Sequence, residues 1–84
     1  MTGQILLFGR LRDVFGVDAI DLPDGVSTVA DLRGALGSTY PDHAHLFEGK
    51  VTRVAVNQML VADESKTSVD AQDEIALMPP LSGG

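Results

Sequence analysis

The chain has 84 residues, of which 44% are hydrophobic, and this is enough for one small domain with a single core. It contains no cysteine, which excludes disulfides, zinc knuckles, iron–sulfur ligation and a catalytic thiol. Twelve acidic residues against six basic ones give a net charge of −6, which argues against nucleic acid as a partner and favours a protein with a basic surface.

The amino-terminal part of the chain predicts a strand, a short helix and a second strand. Residues 4–9 include an unbroken apolar run, as expected for a central strand. In residues 10–15 the apolar side chains recur at helical spacing, and Gly16 is placed to end the turn. Residues 17–22 alternate as a second strand, which leads into a turn at Pro23-Asp24-Gly25.

The clearest predicted element is a helix that begins after Thr28. Thr28 is a favourable N-cap, and Asp31 three residues later provides a weak form of the capping box. Gly37 is the predicted helix end, and Pro41 prevents the helix from resuming. Gly34 lies inside this helix, where glycine costs about 1 kcal/mol relative to alanine. The apolar stripe that should face the core is formed by Val29, Leu32 and Leu36.

The segment after the helix begins without a clear pattern. Residues 42–50 are ambiguous, although Leu46-Phe47 should cover one end of the core. Residues 51–57 alternate as a strand, and a turn at Asn57-Gln58 should lead to a short strand at residues 59–61.

The first and last strands are the most apolar of the chain, so we expect them side by side at the sheet centre. The last strand covers residues 74–78, after an irregular polar segment, and Pro79-Pro80 ends it because proline cannot donate to a ladder. The resulting order predicts an α+β fold, the ubiquitin-like β-grasp, with a mixed sheet and one main helix packed on one face. Residues 1–81 should form this domain, and residues 82–84 a flexible tail.

No arrangement of residues for catalysis or metal binding stands out, so the chain is expected to be non-catalytic by itself. His43 and His45 are the only histidines, and a metal site built on them would need Asp42 or Glu48 as further ligands. Solvated loop histidines are the commoner case, so no metal site is predicted.

The carboxyl terminus carries the clearest chemical signal. The six residues from Pro79 onward can reach about 20 Å from the sheet, and Pro79-Pro80 should stiffen their root. Gly83 and Gly84 lack side chains, so the terminal carboxylate could enter a narrow slot in another protein. A carboxylate is a poor electrophile and must be activated from outside, for instance as an acyl adenylate. Attack by sulfur would then give a thiocarboxylate, and attack by a lysine would give an isopeptide; the tail alone does not choose.

These features resemble the small subunits of molybdopterin synthase, a family of ubiquitin-like sulfur carriers. The most specific match is the terminal pattern Pro-Pro-x-x-Gly-Gly at residues 79–84. The family's central strand and turn are matched by Ala55-Val56-Asn57-Gln58 with Leu60-Val61. Its amino-terminal strand and helical turn are matched by Leu7-Phe8 followed by Leu11-Arg12-Asp13 and Gly16, and the start of its main helix by Thr28–Leu32. Gln72 is a departure, because family members commonly carry glycine before Asp73-Glu74, and glutamine would be strained if that turn needs a positive φ.

The resemblance implies a sulfur-transfer role centred on Gly84. Gly84 would be adenylated, converted to a thiocarboxylate, and would donate sulfur to cyclic pyranopterin monophosphate to form molybdopterin in molybdenum cofactor biosynthesis. Ser82 and Gly83 would give the tail access to the partner's slot. The residues expected to contact the partner are Met78, Pro79, Pro80, Leu81 and Phe8.

The resemblance also implies the partners. They are the large synthase subunit in a heterotetramer of two small and two large subunits, an E1-like adenylating enzyme that consumes ATP, and a sulfur donor protein. No permanently bound cofactor, nucleic acid or membrane is expected. Arg10 and Arg12 follow the first apolar run instead of preceding it, unlike a secretory signal, so a cytoplasmic location is expected.

Three alternatives remain open at this stage. Sulfur carriers for thiamine or cysteine synthesis share the terminal chemistry, although thiamine-pathway carriers are usually shorter and lack the Pro-Pro root. A ubiquitin-like modifier would join the same terminus to lysines of target proteins. An interaction module with an inert tail would need no terminal chemistry.

Overall fold

A five-stranded mixed sheet organises the computed structural model, which describes residues 3–49 and 51–79. Its strands lie in the order β2-β1-β5-β3-β4. The central strands β1 and β5 are parallel, and every other neighbouring pair is antiparallel. This confirms the predicted α+β fold with the first and last strands adjacent. The strand bounds are β1 Gln4–Leu7, β2 Ala19–Asp21, β3 Arg53–Val56, β4 Met59–Leu60 and β5 Ile75–Met78.

Strand β1 is shorter than predicted because Gly9 turns the chain directly into a helix. Gly9 has a φ of 61° and precedes helix α1, Arg10–Phe15. Gly16 ends that helix in the left-handed conformation, and its N–H donates to the carbonyl of Arg12. The predicted short helix and its glycine stop are confirmed.

Helix α2, Val29–Thr39, begins as predicted and ends later than predicted. The Thr28 hydroxyl accepts a hydrogen bond from the backbone N–H of Asp31 at 3.1 Å, and the Asp31 carboxylate accepts one from the Thr28 N–H at 3.3 Å. Gly37 as the helix end was wrong, because the helix continues through it to Thr39. A Cβ added at Gly37 would lie 3.7 Å from the Cβ of Ala44, an ordinary van der Waals distance, so the packing of this segment does not require glycine there.

The ambiguous segment after α2 forms a 3₁₀ helix, Pro41–Phe47, that is kinked at His43 and packs against α2. Leu46 and Phe47 are 2% and 3% exposed, which confirms that they cover the core. Phe47 stacks on Phe15 with ring centroids 6.0 Å apart, so this segment also closes the end of the domain over α1. Along the described parts of the chain, no helix has the length and apolar character needed to cross a bilayer.

The core lies between α2 and one face of the sheet. Each fully buried aliphatic side chain contributes about 1.5–3 kcal/mol relative to an exposed one. The largest fully buried side chains are Ile5, Leu7, Leu32, Leu36, Ile75, Leu77, Val29 and Val54.

The irregular segment before β5 is tied to the amino-terminal end of α2. The N–H of Val29 donates to the carbonyl of Thr67, and the N–H of Val69 donates to that of Ser27, both at 3.0 Å. Val69 is buried, which the polar character of its neighbours concealed. Gln72 has no positive φ, and its N–H donates to the Asp70 carboxylate, so the loop uses a different turn from the one that would strain glutamine.

Arg33 on α2 holds three separate segments together. Its guanidinium donates to both carboxylate oxygens of Glu64, at 2.6 and 2.7 Å. It also donates to the carbonyl of Phe47 at 2.6 Å and to that of Thr52 at 2.8 Å. The Arg33 side chain is only 14% exposed, so its hydrogen bonds are largely shielded from water. A charged or polar group in such a place destabilises the fold if its partner is removed.

We predict that Arg33→Ala lowers the free energy of unfolding by about 2–4 kcal/mol, because it leaves a carboxylate and two carbonyls without their donor. Urea unfolding measures this. The control is Arg12→Ala, which removes an exposed pair with Asp18 and should cost less than about 1 kcal/mol. Equal effects would show that the Arg33 contacts contribute no more than a surface pair.

We also predict that Gly34→Ala raises the free energy of unfolding by about 0.5–1 kcal/mol, because Gly34 is exposed in mid-helix and an added Cβ meets nothing within 4 Å. Thermal unfolding should show a rise of roughly 2–8 °C. Gly16→Ala is the matched control, since its Cβ is equally unhindered but its φ of 69° disfavours alanine. A loss of stability in Gly34→Ala would contradict the prediction.

Candidate partner-docking site

The sheet face opposite α2 is apolar, and no helix of residues 3–49 or 51–79 covers it. Side chains alternate along a strand, so with Ile5 and Leu7 in the core, Leu6 and Phe8 point the other way. The register joins Leu6 to Ala76, Ala76 to Ala55, and Ala55 to Leu60, which makes an apolar row across four strands. We call this surface the outer sheet face; its apolar members are Leu6, Phe8, Ala55, Leu60, Ala76 and Met78.

A shallow depression of about 300 Å³ follows this face, with Gln58 and Glu74 at its polar edge. Phe8 is 46% exposed and Leu60 is 41% exposed. Ala55 and Ala76 form the buried floor of this depression, and the exposed side chains of Phe8 and Leu60 stand at its rim. An apolar depression with exposed apolar side chains and a polar border is typical of a protein-docking site. Sequence reasoning named Phe8 and Met78 but missed Leu6, Leu60 and the two alanines. The alternation of side chains shows which residues of one strand share a face. Only the strand order shows which strands combine into one surface.

A second depression, of about 370 Å³, lies where β5 ends. It is lined by Phe8 and Met78 again, together with exposed Pro79 and the buried Leu11 and Leu46. The N–H of Phe8 donates to the carbonyl of Leu77 at 3.1 Å, so β1 still supports β5 at its last residues. Phe8 and Met78 therefore connect the outer sheet face to the root of the tail.

Pro79 is held against the backbone of Gly9. A Cβ placed on Gly9 would lie 3.2 Å from Cγ of the Pro79 ring. The absence of a side chain at Gly9 thus allows this close approach. The structure thus brings Phe8, Met78 and Pro79 together at the tail root.

The other predicted site residues lie outside the residues that the structure describes. These are Pro80, Leu81, Ser82, Gly83 and Gly84, and the predicted domain end at residue 81 falls among them. Their roles stay predictions.

The start of β5 is fixed by a polar turn. Asn57 and Gln58 have φ values of 54° and 71°, which confirms the predicted turn between β3 and β4. The Asn57 side chain donates to the Asp73 carboxylate at 3.0 Å and accepts from the backbone N–H of Glu74 at 2.9 Å. Both ends of β5 are therefore held by neighbouring strands.

The two histidines lie away from the outer sheet face. His43 meets the ring of Phe15 edge-on, with centroids 5.2 Å apart. Across residues 3–49 and 51–79, no three His, Asp or Glu side chains come together as a metal site would need.

The outer sheet face and the depression beside Pro79 together form an apolar surface suited to docking a protein.

The sequence of this chain is similar to those of known proteins. A model of the ThiS family matches residues 5–84. The molybdopterin synthase sulfur carrier subunit of Dictyostelium discoideum is 39% identical over 83 residues, covering 96% of this chain and 94% of the relative.

Two solved structures share the fold. SAMP1 from Haloferax volcanii superimposes with a TM-score of 0.71 at 30% identity and covers both chains completely. A chain of the complex of subunits 1 and 2 of molybdopterin-converting factor from Helicobacter pylori has a TM-score of 0.65 at 21% identity, with complete coverage of both chains. These likenesses confirm the ubiquitin-like β-grasp fold.

We predict that Phe8→Ala and Leu7→Ala, although adjacent, have different effects on stability. Leu7 is 2% exposed and its truncation should cost about 2–5 kcal/mol, whereas half-exposed Phe8 should cost less than about 2 kcal/mol. Urea unfolding of the two variants measures the difference. Equal losses would mean that Phe8 belongs to the core and is not available to a partner.

Proposed function

The chain belongs to the ThiS family, and we propose that it is the sulfur carrier subunit of a molybdopterin synthase. The observation that carries the proposal is its similarity, along nearly the whole chain, to a subunit of that name. The terminal Pro-Pro-x-x-Gly-Gly pattern supports it, since two glycines suit a chain end that enters another protein.

In the proposed reaction, the Gly84 carboxylate attacks the α-phosphorus of ATP and releases pyrophosphate. Sulfur at the oxidation level of sulfide then attacks the acyl carbon, so that a C–S bond forms and AMP leaves. The thiocarboxylate sulfur then attacks a side-chain carbon of cyclic pyranopterin monophosphate and displaces an oxygen substituent, which gives a thioester between Gly84 and the pterin. Water hydrolyses that thioester, so the sulfur stays on the pterin and Gly84 returns to the carboxylate. In this sequence ATP would be consumed by the E1-like adenylating enzyme, so the proposal requires no cofactor bound to the carrier.

The domain contributes recognition to this sequence of events. The outer sheet face and the tail root would dock the large synthase subunit, with Phe8, Met78, Pro79, Pro80 and Leu81 as contacts. Ser82 and Gly83 would then lie in its slot and carry Gly84 to the pterin. The likeness to a chain from a complex of subunits 1 and 2 of molybdopterin-converting factor supports a partner of this kind.

In this proposal the carrier binds its two enzyme partners one after the other. The adenylating enzyme and the large subunit both need the same chain end, so they must bind the carrier in turn. Because molybdopterin needs two sulfur atoms, the carrier must leave, be reloaded by the sulfur donor protein and return. In the heterotetramer, each of two large subunits would hold one carrier. All of these proteins would meet in the cytoplasm.

A ubiquitin-like modifier is the second candidate. The specific observation in its favour is the complete overlap with SAMP1, a small archaeal modifier protein, at 30% identity. The activated terminus would then be attacked by a lysine amine, and the product would be an isopeptide. Carriers for thiamine or cysteine synthesis would share the thiocarboxylate and differ in the acceptor.

We predict that deleting Gly84 abolishes molybdopterin formation and leaves folding intact. The new terminal carboxylate, on Gly83, would end about 3.5 Å short of the partner's reactive site, and no described core residue is lost. The measurement is molybdopterin produced from the pterin precursor by the carrier, its large subunit, the adenylating enzyme, ATP and a sulfur source. Gly34→Ala is the control, since it changes a glycine on the helix surface and should keep full activity. A truncated carrier that still supports synthesis would refute the proposal, and lysine conjugates in place of molybdopterin would favour the modifier.

A further inference from the structure

Two arginines border the tail root without a carboxylate partner among the residues that the structure describes. The ion pairs found there are Arg12 with Asp18 and Arg33 with Glu64. They leave Arg10 and Arg53 without an acidic group within 4 Å in the described part of the chain.

Both of these arginines lie next to the end of β5. Arg10 lines the depression at the tail root together with Phe8, Met78 and Pro79. Arg53 is directly opposite Met78 in the pairing of β3 with β5. In a chain with twice as many acidic as basic residues, this places two cationic groups where the chain leaves the sheet.

The opposite end of the outer sheet face is acidic. Glu74 precedes β5 and lines the same depression as Met78, four residues and about 13 Å away along the strand. Its backbone is engaged by Asn57, whereas its carboxylate makes no hydrogen bond to the described residues. The neighbouring Asp73 is already occupied, because its two oxygens accept hydrogen bonds from Asn57 and from the N–H of Asp70.

We propose that the charge difference between the two ends of β5, positive at Arg10 and Arg53 and negative at Glu74, orients the protein partner on the outer sheet face. The partner would carry an apolar centre, carboxylates beside the slot that receives the tail, and a basic group at the far end next to Glu74. This inference rests on the proposed function and specifies the chemistry of the surface that the carrier meets.

The physical reason is that an apolar row has no preferred direction. Hydrophobic contact is non-directional, so the row from Leu6 to Leu60 would also allow a partner turned by half a rotation, with its slot away from the tail. Opposite charges at the two ends of β5 make that orientation unfavourable, because like charges would then meet. Arginine suits this role, since its planar guanidinium can bind a carboxylate with two parallel hydrogen bonds.

The test uses the full-length carrier and the large synthase subunit encoded in the same genome, with association and dissociation rates measured at about 50 mM and about 300 mM salt. Arg10→Glu, Arg53→Glu and Glu74→Lys should each weaken binding at least about tenfold at low salt, mainly by slower association. The loss should shrink at high salt because screening weakens the mismatch.

Arg12→Glu is the matched control. Arg12 lies two residues from Arg10 on another side of α1 and pairs with Asp18 in an exposed position, so its reversal should change binding by less than about threefold. Melting temperatures verify that each variant is folded. If a reversal at Arg53 unfolds the chain, Arg53→Gln replaces it and should show a smaller loss in the same direction.

The outcomes separate the two proposals. If wild type binds the large subunit and the reversals behave like Arg12→Glu, or tighten binding, the inference on partner charge is refuted and the proposed function stands. If wild type does not bind the large subunit at all, the proposed function fails and this inference fails with it.

Discussion

The parallel pairing of β1 with β5 is the constraint on which the rest of the structure depends. It sets Ile5 against Ile75 and Leu7 against Leu77, and all four of these side chains are in the core. Because the two strands run in the same direction, they end together, and Phe8 lies beside the residues where the carboxyl-terminal segment begins. The pairing of these two buried strands therefore determines where the chain leaves the sheet after Met78.

Helix α2 packs on one face of the five-stranded sheet, and within residues 3–49 and 51–79 no helix packs on the other face. A small domain can cover only part of its apolar surface, and here the uncovered part is continuous with the tail root. Arg33 stabilises the packing of α2 by hydrogen bonds to the 3₁₀ helix, to the residue before β3 and to the loop before β5. The outer sheet face takes no part in these contacts, and the proposed function assigns it to the protein partner.

Local signals predicted most of the fold, whereas contacts between distant residues escaped prediction. Thr28 with Asp31, and Gly16, depend on neighbours within four residues, and the structure confirms both. Gly37 as a helix end was wrong because Gly37 lacks the positive φ that ends a helix, and α2 continues to Thr39, shortly before Pro41. The bond from Arg33 to Glu64 spans 31 residues. Leu60 joins the candidate site only through the strand order, so no local pattern could identify it.

The central claim is that the chain end carries sulfur, and the mass of the intact protein tests it most directly. Wild-type protein would be incubated with ATP, a sulfide source and its adenylating enzyme, whose activity is verified by ATP–pyrophosphate exchange. The account predicts a mass increase equal to the replacement of one oxygen by one sulfur, localised to Gly84 by fragmentation. An unchanged mass with an active enzyme would contradict the sulfur carrier account.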